Sequence, residues 1–478
     1  MTYGVTRHLT PAAVVVLLLA SCSDSTSSDA PGVGGAGSGV AGTPAGAAGG
    51  GASAAGTGGG SGGLATGTGG NAAGGGAGNA AVGGTGGSAG TLGASGSEAV
   101  DPDGDAGVGE GGAPAAGSGG SGGGSAPVGN GDGIGSRAPF EATGMPIMGA
   151  DNTWTWVPFA DTKCRAGTPA GLSVNMNSAS RKVMIYLEGG GACFDAQTCG
   201  ANPDAVGSQM PSGGGVFDRS REENPVRDWS FVYVPYCTGD VHMGAKENGQ
   251  VEGVTGPQQF VGRKNLAAFL QRLVPTFANA EQVLLTGVSA GGFGASSNAA
   301  YVQWAFGEIP VTMIDDSGPT LSNEFLPTCL TNRYVTTWGL EGSILDDCGS
   351  ACSASEDYSV QFLEYSAMYA EGKYNGLIES DQDSVIRGFF GVGTNNGADD
   401  CMGILLFTPM TAEDFLAGLL DYRERVKPYP GFSTFYPSDT KHTWLGDNSF
   451  YTAVAGDVRM VDWFQGVIEG KPAVHAGH

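Results

Sequence analysis

The stretch Gly287-Val288-Ser289-Ala290-Gly291-Gly292 follows the apolar run Val283-Leu284-Leu285 and precedes Phe293 to Ala300, which is rich in small residues. A strand, a sharp turn and a helix in that order lift a serine hydroxyl into a strained, exposed position. Glycines flank it because side chains there would collide with the strand and the helix. Such an alcohol attacks a carbonyl only when a base removes its proton, and histidine is the usual base because its pKa lies near working pH. The chain has five histidines: His8, His242, His442, His475 and His478. His8 belongs to the N-terminal leader, and His475 and His478 are expected in a frayed tail. His442 comes after the last candidate strand and before the last candidate helix, where the chain order Ser…Asp…His puts the base. His242 precedes the serine and follows a mid-sheet strand, so it either lines the pocket or serves the structure.

The carboxylate that orients the imidazole should follow the penultimate strand. Gly376 to Ile386 reads as a short strand, a loop with carboxylates and a helix start. Asp383 is the expected acid, with Asp381 next, although Asp383 also sits where a helix N-cap belongs. Asp315 and Asp316 end the strand after the serine's helix, one strand too early, and are expected to support a loop. Acyl transfer passes through an oxyanion, on which backbone N–H groups must converge. One is expected from Ala290, directly after the serine. Others are expected from Leu187-Glu188-Gly189-Gly190-Gly191-Ala192-Cys193, where three glycines after a strand let the backbone approach a substrate closely. No Gly-Lys-Ser/Thr follows, which sets aside a nucleotide phosphate loop.

These groups need a frame. Lys182 to Leu187, Phe231 to Val234, Val283 to Thr286, Val311 to Ile314, Asn375 to Ile378 and Gly431 to Tyr436 read as strands. Gln259 to Leu273, Gly294 to Trp304, Ser384 to Phe390 and Gly456 to Ile468 read as helices. The alternation predicts an α/β fold with a doubly wound, mostly parallel sheet, whose chemistry sits at the carboxyl ends of its strands. Each candidate residue falls just after a strand.

Composition bounds the rest. Glycine supplies 87 of 478 residues, far beyond a globular share, and the excess lies between about Ser27 and Gly135. That segment buries too little apolar surface to offset chain entropy, so residues 23–137 are expected to be a disordered tether and 138–478 one catalytic domain. Asp101, Asp103 and Asp105 alternate in the tether but lack the later bidentate glutamate of a calcium loop. Residues 1–22 read as a leader: Arg7 and His8, an apolar core from Ala12 to Leu19, then Leu19-Ala20-Ser21-Cys22. Those last residues resemble the bacterial lipobox, which implies lipidation of Cys22, export and a membrane anchor at the outer membrane or cell surface. Eight further cysteines, Cys164, Cys193, Cys199, Cys237, Cys329, Cys348, Cys352 and Cys401, allow four disulfides. No Cys-x-x-Cys or paired histidines suggest zinc, so no metal is expected. The formal charge is −25. Two of the 22 basic and eight of the 47 acidic residues precede Ala138, leaving 20 basic against 39 acidic side chains in the domain. Such a field repels nucleic acid and polyanionic substrates.

Three pieces together resemble the pectin acetylesterase and Notum carboxylesterase family. They are Tyr186 to Cys193, Val234-Pro235-Tyr236-Cys237-Thr238-Gly239-Asp240-Val241-His242-Met243-Gly244, and Thr286 to Gly292. The resemblance covers roughly Ala138 to Leu445. It implies an α/β-hydrolase fold that cleaves carboxylic esters without a cofactor, removing acetyl groups from a polysaccharide or a fatty acyl group from a protein. It carries the nucleophile to Ser289, the acid to Asp383, the base to His442 and the oxyanion donors to Gly190, Gly191 and Ala290. It also implies disulfides Cys193–Cys199 and Cys164–Cys237, leaving the other four cysteines unassigned. Family members often carry a bulky tryptophan near Ala192, where this chain is small. The expected activity is deacetylation of a carbohydrate such as pectin. The alternatives are a lipid or protein acyl ester, and a non-catalytic glycan-binding module on the same fold, with Trp154 and Trp156 as candidate stacking rings.

Overall fold

The computed structural model describes residues 133–369, 374–392, 401 and 408–478. The leader, Cys22 and the glycine-rich segment up to Asp132 lie outside the described residues. A nine-stranded sheet runs through the domain. Its strands in chain order are β1 (Trp154–Phe159), β2 (Ala170–Asn175), β3 (Lys182–Leu187), β4 (Ser230–Val234), β5 (Gln282–Val288), β6 (Val311–Asp316), β7 (Asn375–Ile378), β8 (Phe432–Phe435) and β9 (His475–Ala476). Their order across the sheet is β1-β2-β4-β3-β5-β6-β7-β8-β9. β1 and β2 pair antiparallel, as do β2 and β4; every pairing from β4 through β9 is parallel. The central strands are buried on both faces, as parallel strands covered by helices must be, so they read as continuous apolar runs. In β3, for example, Val183 to Leu187 are all buried.

Helices α1 (Ala196–Ala201), α2 (Gly262–Thr276), α3 (Ala290–Phe306), α4 (Thr328–Trp338), α5 (Ile344–Cys348), α6 (Tyr358–Tyr369), α7 (Ile386–Phe390), α8 (Ala412–Val426) and α9 (Met460–Ile468) fill the connections. One apolar cluster joins α2, α3 and α8 to one face of the sheet through Leu266, Phe269, Val302, Phe415 and Leu419. A second gathers α9 with the other face through Val461, Trp463, Phe464 and Val467. A third, built around Phe194, Trp338, Ile344 and Phe362, covers the carboxyl end of the sheet.

The six expected strands are all present, with bounds within two residues. One expectation fails. The C-terminal residues are not frayed: β9 pairs parallel with β8, and the Arg423 guanidinium donates to the carbonyls of Ala476, Gly477 and His478. Residues just before Ala138 also pack on the domain. Ile134 is fully buried, and Arg137 donates to Asp346 at 2.6 Å and Asp347 at 2.9 Å.

Candidate active site

Ser289 occupies the one-residue turn between β5 and α3, with φ 56° and ψ −123°. A non-glycine residue at positive φ is strained, and here the surroundings force it. The Ser289 amide donates to the Asp316 carbonyl at 2.8 Å. A Cβ at Gly291 would overlap the Leu187 carbonyl, and one at Gly292 would overlap the Asp315 carboxylate. The glycines are therefore what lets α3 start directly against β3 and β6.

His442 lies in the loop after β8, and its Nδ1 is 2.7 Å from Asp383 Oδ2. Asp383 is fully buried, and its other oxygen accepts from the amides of Val385 and Ile386, both at 2.8 Å, at the start of α7. Asp383 thus braces the turn before α7 with one oxygen and orients the imidazole with the other, while the N-cap itself is Val385. Asp381 points elsewhere. It accepts from the Asp439 amide at 3.0 Å and meets His478 Nε2 at 2.5 Å, bracing the loop from behind. Asp316 Oδ2 accepts from the amides of Trp444 and Leu445 at 2.7 and 2.8 Å, which is the loop-supporting role expected of it. Burial pushes Asp316 up to about 6 against the pull of those amides. His442 Nε2 is buried without a hydrogen-bond partner among the described residues. Ser289 lines the same cleft but makes no hydrogen bond to it. In an unliganded site such pairs are often loose and tighten around substrate.

The glycine loop after β3 forms the facing wall. Gly190 and Gly191 have φ 155° and 80°. The Glu188 carboxylate accepts from the Tyr236 amide at 2.9 Å and from Gln209 Nε2 at 2.6 Å. His242 donates from Nε2 to the Glu188 carbonyl at 2.9 Å. Burial pulls the pKa of His242 down to about 4, so the ring is neutral at pH 7 and holds the loop in place. His242 lines a small cavity beneath the loop and is not among the residues lining the cleft. No group among the described residues accepts from the amides of Gly190, Gly191 or Ala290.

Ser289 stands between two cavities. One, about 260 Å³, is polar and holds His442, Glu188, Gln209, Tyr186, Tyr233 and Thr443. The other, about 70 Å³, is apolar and is lined by Ala192, Phe293, Trp338, Phe362 and Phe389 among others. No sequence motif points to the second cavity, much of whose lining comes from α4, α5 and α6. The disulfides are Cys164–Cys237, Cys193–Cys199, Cys329–Cys401 and Cys348–Cys352. Trp154 packs on Phe217 and Phe231 at the sheet edge and is half-buried, like Trp156, so neither ring stands free as a stacking platform.

A family model described as pectinacetylesterase matches residues 151–366, which include Ser289 and end before Asp383 and His442. The human palmitoleoyl-protein carboxylesterase NOTUM is 30% identical over 228 residues, covering 42% of this chain and 44% of that protein. The zebrafish inactive palmitoleoyl-protein carboxylesterase notum1b is 34% identical over 104 residues, covering 20% of this chain and 73% of that protein. The chain spans less than half the length of the first curated relatives it matches. A solved structure of the Wnt deacylase Notum from Drosophila superposes with a TM-score of 0.53 at 19% identity, over 68% of this chain and 95% of that one. Its likeness is one of fold. With the fold, the site geometry and these matches in agreement, the chain belongs to the pectin acetylesterase and Notum carboxylesterase family.

Proposed function

We propose that the protein is an exported serine carboxylesterase that removes a short acyl group, acetyl first, from a hydroxylated alcohol such as a carbohydrate. Ser289 Oγ attacks the ester carbonyl while His442 Nε2 takes its proton. His442 then protonates the leaving alcohol. Asp383 holds the imidazole through Nδ1 and stabilises its charged form. The amides of Gly190, Gly191 and Ala290 receive the oxyanion. Water, deprotonated by His442, then attacks the acyl-serine and releases the acid. The observation that carries this reading is a strained Ser289 opening on a cleft shared with an imidazole nitrogen that has no protein partner, behind which a buried carboxylate is already bonded.

The two cavities support the substrate class. The polar one suits a hydroxylated leaving alcohol. The apolar one is about 70 Å³, roughly half the ~150 Å³ of a cavity that takes benzene, which suits an acyl chain of a few carbons. The excess of acidic side chains favours an uncharged glycan over a polyuronate such as pectin. The aromatic lining, and the names of the relatives, favour a second reading in which a longer lipid or protein acyl chain enters the same cavity.

Esters of one alcohol from acetyl to palmitoleoyl separate the two. We expect kcat/KM to peak at or below butyryl. A peak at octanoyl or longer selects the second reading. Glycan binding without Ser289-dependent turnover selects the non-catalytic module. Four disulfides fit an oxidising compartment. Lipid attachment at Cys22 completes the proposal; metabolic labelling with palmitate in a bacterial host should mark the chain and disappear in Cys22→Ala.

A further inference from the structure

We infer that Asn202 is a positioning residue for the oxyanion cradle, fixing the direction of the Gly191 N–H. The inference rests on the esterase reading and adds a group that lies outside the loop itself. In a trans peptide the carbonyl and the following N–H point in opposite directions. Asn202 Nδ2 donates to the Gly190 carbonyl at 2.7 Å. With that oxygen held on the Asn202 side, the Gly191 N–H must point to the other side. The 190–191 peptide needs such a hold. Both flanking residues are glycines at positive φ, and the backbone freedom that lets the loop approach a substrate also lets this peptide rotate. An unheld peptide would have to be oriented during each turnover, whereas preorganised donors need no such step.

Asn202 is itself fixed from several sides and is 7% exposed. It follows α1, whose first turn is closed by the reciprocal Asp195–Thr198 capping pair. Its amide donates to the Cys199 carbonyl at 3.3 Å. One Arg165 nitrogen donates to the carbonyls of Cys199 and Asn202 at 2.9 and 2.8 Å, and the other donates to Gln258. The Cys193–Cys199 disulfide joins the end of the glycine loop to the same short helix. Helix, disulfide and buried guanidinium hold the Asn202 backbone, and its side-chain amide touches the loop at the carbonyl that aims Gly191.

The test compares Asn202→Ala and Asn202→Asp with the unsubstituted protein; the aspartate keeps the shape and loses the donor. We expect kcat about 10- to 100-fold lower with KM nearly unchanged, less than the roughly 10²–10³-fold cost of losing an oxyanion donor outright. A trifluoromethyl ketone forms an oxyanion on Ser289, so its affinity should fall by the same factor as kcat/KM. Affinity for the product alcohol, which does not reach the cradle, should not move. A merely structural role would lower the thermal midpoint and shift substrate and product binding together. Folded variants with kcat within twofold of the unsubstituted protein, or with unchanged ketone affinity, overturn the inference. Failure of both variants to fold also overturns it, in favour of a structural role. Absence of any ester turnover by the unsubstituted protein removes the esterase reading and this inference together; turnover that ignores Asn202 removes this inference alone.

Discussion

Replacing Ser289 by alanine should lower ester hydrolysis by about 10⁴-fold or more, because loss of the nucleophile leaves only binding and the oxyanion cradle. Thr443 also lines the cleft, but it follows the imidazole in the same loop and is not at the start of a helix whose first amide is free. The fold should be unaffected. Alanine is no more strained than serine at φ 56°, and the Ser289 contact that holds the turn is made by its backbone amide. We expect a change in stability within about 0.5 kcal/mol. Initial rates, a fluorophosphonate label and a thermal melt read the three quantities separately. More than 1% residual turnover, or a label elsewhere on the chain, would remove Ser289 from its role.

The second large effect separates the two carboxylates. Asp383→Asn should cost about 10⁴-fold in kcat, since an amide in place of Oδ2 presents a donor or a weak acceptor to Nδ1 and favours the wrong imidazole tautomer. The variant can still accept the Val385 and Ile386 amides through its remaining oxygen, so α7 should keep its start. Asp381→Asn keeps an acceptor for the Asp439 amide and should stay within about tenfold of full activity, as expected for a group one layer behind the loop. Equal losses in the two variants would contradict the assignment. Glu379 sharpens the contrast. Burial and the neighbouring Asp383 carboxylate push its pKa well above the usual carboxylate range.

What the sequence disclosed follows from how local each signal is. The central strands are legible because both faces are buried and their residues are nearly all apolar. β2 is equally buried yet carries Gly171, Ser173 and Asn175. Its polar groups are satisfied at a distance, Ser173 by the Gln209 carbonyl and Asn175 by Arg219, so nothing local marks it as a strand. β9 exists through pairing with β8 and has no apolar pattern of its own. The serine turn, the glycine loop and His442 are each written in a few consecutive residues. Asp383 is marked by its place after a strand, and the sequence shows its bonds to α7 and to the imidazole only as competing explanations. Asn202 and Arg165 carry no motif, because their partners lie on other segments of the chain.

One short covalent ring has a disproportionate reach. Cys193–Cys199 encloses a separation of six residues and Cys164–Cys237 one of 73. Loop-entropy arguments give the former about 2 kcal/mol of global stability and the latter about 4. Reducing the short ring would therefore leave most of the sheet's cohesion intact while freeing the segment on which the amide-bearing loop is anchored. A chain in which that bond alone is opened would be folded but poorly aimed.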